Sequence, residues 1–246
     1  MISLNKQDFE SELSSVFKAN GLAALLDKKK SELFFLLTER LLTENEKYNL
    51  TAITEPKKII LNHYADCALL GKMLPRNVRI IDVGCGAGFP SLPLAIVRPD
   101  VSVLSMDSTA KRIAYVSESA SLLGLDNVTA IAMRAEDAAN LNEYRENFDY
   151  ATARAVAEMR ILCELCLPFV KVGGSMLAMK GKNAEFELSG AKKAISILGG
   201  EGAKCESVTL KGNGEDFTHP IITVKKKAKT PTAYPRPYAQ ISKKPL

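Results

Sequence analysis

The sequence predicts a doubly wound, mostly parallel α/β sheet of seven strands behind an N-terminal helical extension. Three observations carry this prediction. The stretch V-R-I-I-D-V-G-C-G-A-G-F-P-S-L-P-L, residues 78–94, is a buried apolar strand that runs directly into a glycine turn and a helix opened by Pro90. A second apolar strand ends at Asp107, 19 residues past Gly88. Beyond it, apolar runs of strand length alternate with helical periodicity through five β/α units, and a closing strand pair follows.

In chain order, residues 7–19 set Phe9, Leu13, Val16 and Phe17 at helical spacing, and residues 31–42 do the same with Leu33, Leu36, Leu37 and Leu41. A third helix, 56–72, opens at Thr54-Glu55-Pro56 and ends at Gly71. Tyr48-Asn49-Leu50-Thr51 breaks the helical pattern, and His63 and Asp66 lie one turn apart beyond it. After the strand 78–83 and its helix come the strand 101–106, a helix over 109–123 and the strand 128–133 with the polar group Arg134-Ala135-Glu136-Asp137. The strand 148–153 ends at Arg154, a helix runs over 158–170, and Gly173-Gly174 turns the chain into a fifth strand, 175–179, that ends at Lys180. A helix over 184–198 and strands at 205–210 and 220–224 complete the pattern.

At 246 residues and 46% apolar content, the chain suits one substantial core with extensions. The expected organisation is a helical layer (1–74), a core (75–224) and a basic tail (225–246). No apolar run approaches the roughly 20 residues of a membrane span, and the first ten residues show no signal pattern, so a cytoplasmic protein is expected. Five scattered cysteines agree with a reducing compartment. Cys163-x-x-Cys166 has no second pair to complete a zinc site and sits in an apolar helix, so no metal is expected. The net charge of +5 is concentrated in residues 225–246, which hold seven Lys and Arg and no acid. Such a segment suits a polyanion, RNA first among them.

The glycine turn defines the candidate site. Gly84, Gly86 and Gly88 let backbone approach a ligand at a helix N-terminus. A dinucleotide fingerprint needs glycine at 89, where this chain has Phe89. D82-V-G-C-G-A-G instead resembles the first motif of Rossmann-like, class I S-adenosylmethionine-dependent methyltransferases, with Asp82 beside a ligand that carries a cation. Asp107 stands at the distance where such sheets set the carboxylate that accepts ribose hydroxyls. Glu136, in the loop after the third strand, either meets the adenine or caps the next short helix. Arg154, at the carboxyl edge, suits a carboxylate or phosphate.

The chain as a whole resembles the bacterial glucose-inhibited division protein B family, the small-subunit rRNA guanine-N7 methyltransferases. The resemblance rests on N45-E-K-Y-N-L-T-A-I, H63-Y-A-D66, the glycine motif, D107-S-T-A-K-R, R134-A-E, F148-D-Y-A-T-A-R-A-V, K180-G, Y234-P-R236 and the K243-K-P-L end. Ser91 stands where the family frequently has glycine. The resemblance implies that Gly84, Phe89, Ala135, Glu136 and Arg154 contact S-adenosylmethionine, beside Gly86, Gly88 and Asp107 from the spacing argument. It implies that Asn49, His63, Lys180, Arg236 and the terminal Lys243 face small-subunit rRNA, and the enzyme is expected to act as a monomer. Guanine N7 carries an in-plane lone pair and no hydrogen, so it needs no general base. No residue must therefore be catalytic, and His63, Asp66 and Lys180 are the candidates. An oxidoreductase is disfavoured by Phe89, and a ribosome-binding factor without chemistry would leave the glycines, Asp107 and Arg154 without a use.

Overall fold

A computed structural model describes residues 5–246. The N-terminal layer consists of α1 (Lys6–Ala19), α2 (Lys28–Tyr48), α3 (Pro56–Ile59), a π-helical turn at Ile60–Ala65 and α4 (Asp66–Met73). Asp27 caps α2 by accepting the Lys30 N–H at 2.9 Å. Asn49 ends α2 in the left-handed conformation, φ 49° and ψ 53°, a position that asparagine tolerates better than most residues. The layer buries Phe9, Leu13, Phe17, Phe34, Leu37 and Leu41, each fully buried leucine contributing about 1.5–3 kcal/mol. These side chains share one apolar cluster with residues of the following sheet and its first helices, so the layer is part of the sheet's own packing.

The sheet contains β1 (Arg79–Val83), β2 (Ser102–Asp107), β3 (Val128–Ala132), β4 (Phe148–Arg154), β5 (Val170–Met179), β6 (Gly200–Leu210) and β7 (Phe217–Lys226), in the order β3-β2-β1-β4-β5-β7-β6. The first five are mutually parallel, and β7 alone is reversed, running antiparallel to both its neighbours, β5 and β6. Helices α5 (Ser91–Val97) and α6 (Ala110–Leu122) pack on the face that carries the N-terminal layer. Helices α7 (Ala135–Ala138), α8 (Met159–Cys166), α9 (Ala184–Ile197) and α10 (Tyr238–Lys243) lie with the second apolar cluster. Strand order reverses between β1 and β4, and an open α/β sheet forms its ligand crevice at the carboxyl ends beside such a reversal.

Three elements depart from the sequence expectation. Gly71 lies inside α4 and does not end it; a Cβ there would come within 3.2 Å of Leu94 and Val97, so the glycine permits α4 to lie against α5. Gly173 and Gly174 lie within β5, which already begins at Val170. Register jumps from Phe148↔Val170 to Tyr150↔Ser175, making the pair a bulge. The basic segment starts inside β7 and is packed: Lys226 is 2% exposed, with Nζ donating to Leu167 O at 2.7 Å and to Thr230 Oγ1, and Ile241 is fully buried. Cys163 and Cys166 are buried, and burial pushes the Cys163 thiol up to about 12. Among the described residues, no helix is long and apolar enough to cross a membrane.

Candidate functional site

A cavity of about 250 Å³ opens at the carboxyl edge, walled by residues that include Gly84, Asp107, Arg134, Ala135, Glu136 and Val156. Asp107 is its most constrained group. Its Oδ2 accepts the Gly86 N–H at 3.1 Å, its Oδ1 accepts the Thr109 N–H at 2.8 Å, and Arg112 Nη1 lies 3.4 Å away. The carboxylate is thus held at the cavity wall with acceptor capacity remaining, since two oxygens offer about four lone-pair sites. Glu136 is 8% exposed at the start of the four-residue α7, so it both occupies the first helical turn and faces the cavity.

The glycines have different uses. All three have positive φ: +74° at Gly84, +55° at Gly86 and +82° at Gly88. A Cβ on Gly84 would lie 2.6 Å from Val156, and one on Gly88 would lie 2.6 Å from Leu92, so packing accounts for both. Only Gly86 faces open space, with nothing within 4 Å. Five of the six turn amides are spent within the protein: Gly84 and Cys85 donate to Met106 O, Gly88 and Phe89 to Cys85 O, and Gly86 to Asp107. The backbone therefore shapes a ribose-type acceptor more than it offers donors of its own. These features fit a nucleoside with vicinal hydroxyls: an ionised acceptor at the wall, a second carboxylate further along, and a backbone position left free of side chain.

Asp82 departs from its expected role. It is fully buried, accepts the Ser91 N–H at 3.2 Å and the Ser91 hydroxyl, and does not line the cavity. Burial raises its pKa to about 7. Ser91, the residue in place of a frequent glycine, is therefore a donor to a buried carboxyl group at the start of α5.

Beside the cavity lies a buried polar cluster. Arg154 Nη1 is 3.0 Å from His63 Nδ1, 3.1 Å from Asn62 O and 3.7 Å from Asp66 Oδ2. A guanidinium has only donors, so His63 Nδ1 accepts, the imidazole is neutral with its proton on Nε2, and Thr51 Oγ1 accepts from Nε2 at 3.2 Å. Burial first, and then the Arg154 charge, lower the His63 pKa to about 3. The ring stacks on Phe89 at 4.4 Å, while Arg154 lies 5.1 Å over the same phenyl group. Asp66 is fully buried, with Oδ1 2.7 Å from His219 Nδ1. The π turn carries His63 and delivers Asp66 one residue past its end.

Of the expected cofactor residues, Gly84, Asp107, Ala135 and Glu136 meet around the cavity, and Gly86 braces Asp107. Gly88, Phe89 and Arg154 are not among the wall residues. Of the expected RNA residues, Asn49 and Lys243 are exposed, whereas His63 is 5% and Lys180 9% exposed. Lys180 Nζ donates to Ala157 O at 2.8 Å and pairs with Glu187 at 2.6 Å, which fixes the 155–158 loop behind the cavity. Ala155 in that loop has φ +56°, a strained position for a residue with a Cβ. Arg236 is held by buried Glu164 through Nε at 2.9 Å, Nη2 at 2.6 Å and its backbone N–H at 2.8 Å. A second cavity, of about 300 Å³, adjoins the first through Arg112 and is lined by Lys47, Tyr48, Asn49, Leu50, Thr109 and Lys111.

Sequence reasoning missed His219 and Tyr238. His219 sits 153 positions from Asp66, and a lone histidine in a strand gives no local sign of its partner. Tyr238 reaches the cavity from the far end of the chain; its only local sign was an aromatic residue close to Y234-P-R.

The sequence model of a family described as GidB, rRNA small subunit methyltransferase G, matches residues 30–215. A ribosomal RNA small subunit methyltransferase G of Clostridium perfringens is 47% identical over 215 residues, covering 86% of this chain and 89% of that protein. A protein of the same name from Lactobacillus helveticus is 42% identical over 247 residues, covering 99% and 100%. Among solved structures, M. jannaschii TYW2 in complex with AdoMet aligns with a TM-score of 0.53 at 16% identity, over 66% of this chain and 75% of that one. An SAM-dependent O-methyltransferase of Thermotoga maritima aligns at 0.52 and 17% identity, over 78% and 73%. At such identities these two establish the shared fold.

Proposed function

The chain belongs to the GidB family, rRNA small subunit methyltransferase G, and from that membership we propose that it moves the methyl group of S-adenosylmethionine to N7 of a guanine in small-subunit rRNA. The observation that carries the reading is Asp107, clamped by two backbone amides at the wall of the cavity beside the sheet's reversal point. Its carboxylate accepts the ribose hydroxyls, Ala135 and Glu136 serve the adenine, Gly84 lets Val156 close the cavity wall, and Gly86 leaves the approach to the turn unobstructed. Phe89, Arg154 and Gly88 support this arrangement from behind: Phe89 by its stack on His63, Arg154 by its bond to the same ring, and Gly88 by admitting Leu92 against the turn.

With the cofactor held by Asp107, Ala135 and Glu136, its sulfonium would supply a methyl group that the guanine N7 lone pair could accept without a base, the sulfonium taking back the electron pair as a neutral thioether. No proton moves, so the protein's task is to hold N7 in line. A neutral His63 in a dry stack against Phe89 agrees with positioning rather than proton transfer. The face around Asn49, Lys111 and Arg112, and exposed Lys243 on α10, receive RNA phosphates, and a splayed guanine enters between the helical layer and the core. We further propose residues 1–74 as the substrate-side cover, 75–224 as the catalytic core, a monomeric enzyme, and a cytoplasmic site of action where the rRNA is found.

The test has two parts. The purified protein is titrated with S-adenosylmethionine and with NAD, and 7-methylguanosine is mapped in small-subunit rRNA from cells with and without the gene. Binding of the first ligand alone, and loss of one 7-methylguanosine on deletion, are expected. Binding of NAD, or an unchanged map, overturns the reading.

A further inference from the structure

We propose that Tyr238, carried by the C-terminal segment, forms part of the adenosine wall of the cofactor cavity, so that residues 225–246 belong to cofactor binding and not only to RNA. The inference rests on the cofactor reading above and extends it to a residue from the far end of the chain.

Tyr238 begins α10 and stands in the wall of the same cavity as Asp107, Met133, Arg134, Ala135 and Glu136. If Asp107 fixes the ribose, the base must lie toward the end of β3, where Met133 to Glu136 and Tyr238 are found. The tyrosine ring lies 5.8 Å from the Arg134 guanidinium carbon, which ties it to the β3 side of the cavity. It is also 40% exposed, a large aromatic at a cavity mouth, whereas Ile241, one turn along the same helix, is fully buried. One side chain thus anchors α10 in the core and the other is left to face a ligand.

The position of this ring is imposed by a built framework. Buried Glu164 takes three hydrogen bonds from Arg236, two residues before Tyr238, and the next residue of α8, Leu165, itself lines the cavity. Arg145 donates to the carbonyls of Thr230, Pro231 and Tyr234, and Glu146 accepts the Thr230 N–H at 2.7 Å. Two of the segment's seven cations, Lys226 and Arg236, are consumed inside the protein by this framework. An aromatic face against a base is tolerant of base identity and depends on the ring, not on the hydroxyl.

The experiment measures equilibrium binding of S-adenosylmethionine and of 5′-methylthioadenosine, which lacks the amino-acid end, to the full chain. Tyr238→Ala should raise Kd for both ligands by the same factor, about tenfold or more, while Tyr238→Phe stays within about twofold. Tyr238→Trp puts the only indole into a chain that has no tryptophan, and its emission should change when either ligand binds. Thermal melting without ligand should match the wild type for all three variants. Wild-type binding with an unchanged Kd in Tyr238→Ala, or a loss confined to S-adenosylmethionine, overturns the assignment of Tyr238 alone. Failure of the wild type to bind either ligand overturns the cofactor reading and Tyr238 with it.

Discussion

His63 Nδ1 lies 3.0 Å from Arg154 Nη1, and the imidazole is stacked 4.4 Å from the Phe89 ring that Arg154 also covers. A protonated imidazole would lose its acceptor there and face a cation at contact distance. The ring is therefore held neutral, and this has a measurable consequence for stability.

The His63 pKa falls from 6.5 to about 3 on folding, so the unfolded chain takes up this proton first as pH drops. Its contribution is present above pH 6.5 and lost toward pH 3, at up to about 1.4 kcal/mol per pH unit. Asp82 has the opposite sign: raised from 3.8 to about 7, it contributes below pH 3.8 and loses that contribution as pH rises through 7. Relative to the wild type, His63→Gln should gain stability on acidification from about pH 7 to about pH 4.5, and Asp82→Asn should lose it. Urea unfolding at the two pH values measures both differences.

Asp107→Asn should weaken S-adenosylmethionine binding by roughly ten- to hundredfold, the worth of charged hydrogen bonds to a ribose of about 1.5–3 kcal/mol. The Asn side chain keeps an acceptor for the Thr109 N–H but cannot also accept from Gly86 and the ribose as a carboxylate does. Calorimetric titration reads the affinity, and a melting curve shows whether the turn survives.

Gly88→Ala and Gly86→Val should fail in different ways. A Cβ at 88 meets Leu92 Cγ at 2.8 Å in the core at a position with φ +82°, so in the first variant overpacking and backbone strain together should lower stability by about 2–5 kcal/mol. At 86 a Cβ has no neighbour within 4 Å, so the second carries chiefly the backbone strain of φ +55°, about 1–2 kcal/mol, yet should abolish cofactor binding. Melting temperature and cofactor affinity, measured on the same samples, separate the two.

Arg236→Ala leaves Glu164 buried and unpaired, which should cost about 3–5 kcal/mol and loosen the C-terminal segment. Lys243→Ala removes an exposed charge, so stability should change by no more than about 0.5 kcal/mol. If Lys243 meets a phosphate, log affinity for single-stranded RNA should lose about 0.7 of its salt slope. RNA binding at several salt concentrations, with denaturant unfolding alongside, distinguishes an anchoring arginine from a phosphate-facing lysine.

The parts of this protein that were legible in its sequence are those encoded locally. The strand–glycine–helix stretch, the spacing to Asp107 and the helical periodicity of α1 and α2 involve residues within a few tens of positions, and they located the cavity. The bulge at Gly173-Gly174 was read as a turn because two glycines signal either, and only pairing with β4 decides between them. The glycine motif sets Asp82 beside a cationic ligand, but its buried bond to Ser91 depends on how α5 packs. The family resemblance assigns Arg236 to RNA, and nothing in the sequence marks Glu164, 72 positions away, as its partner. The basic segment illustrates the same limit: net charge was visible, and the burial of Lys226 was not.

The π turn at Ile60–Ala65 restricts where this chain can change length. Each residue of a helix turns the following side chains by about 100°. Deleting one residue here would restore ordinary α-helical bonding yet swing Asp66 away from His219 or His63 away from Phe89, because the two straddle the end of the turn. The helix therefore rejects a gain or loss of residues between Pro56 and Asp66, and tolerance before Pro56 is confined to the exposed Thr54-Glu55 pair, because Thr51 is tied to His63 and Leu50 and Ile53 pack on the core.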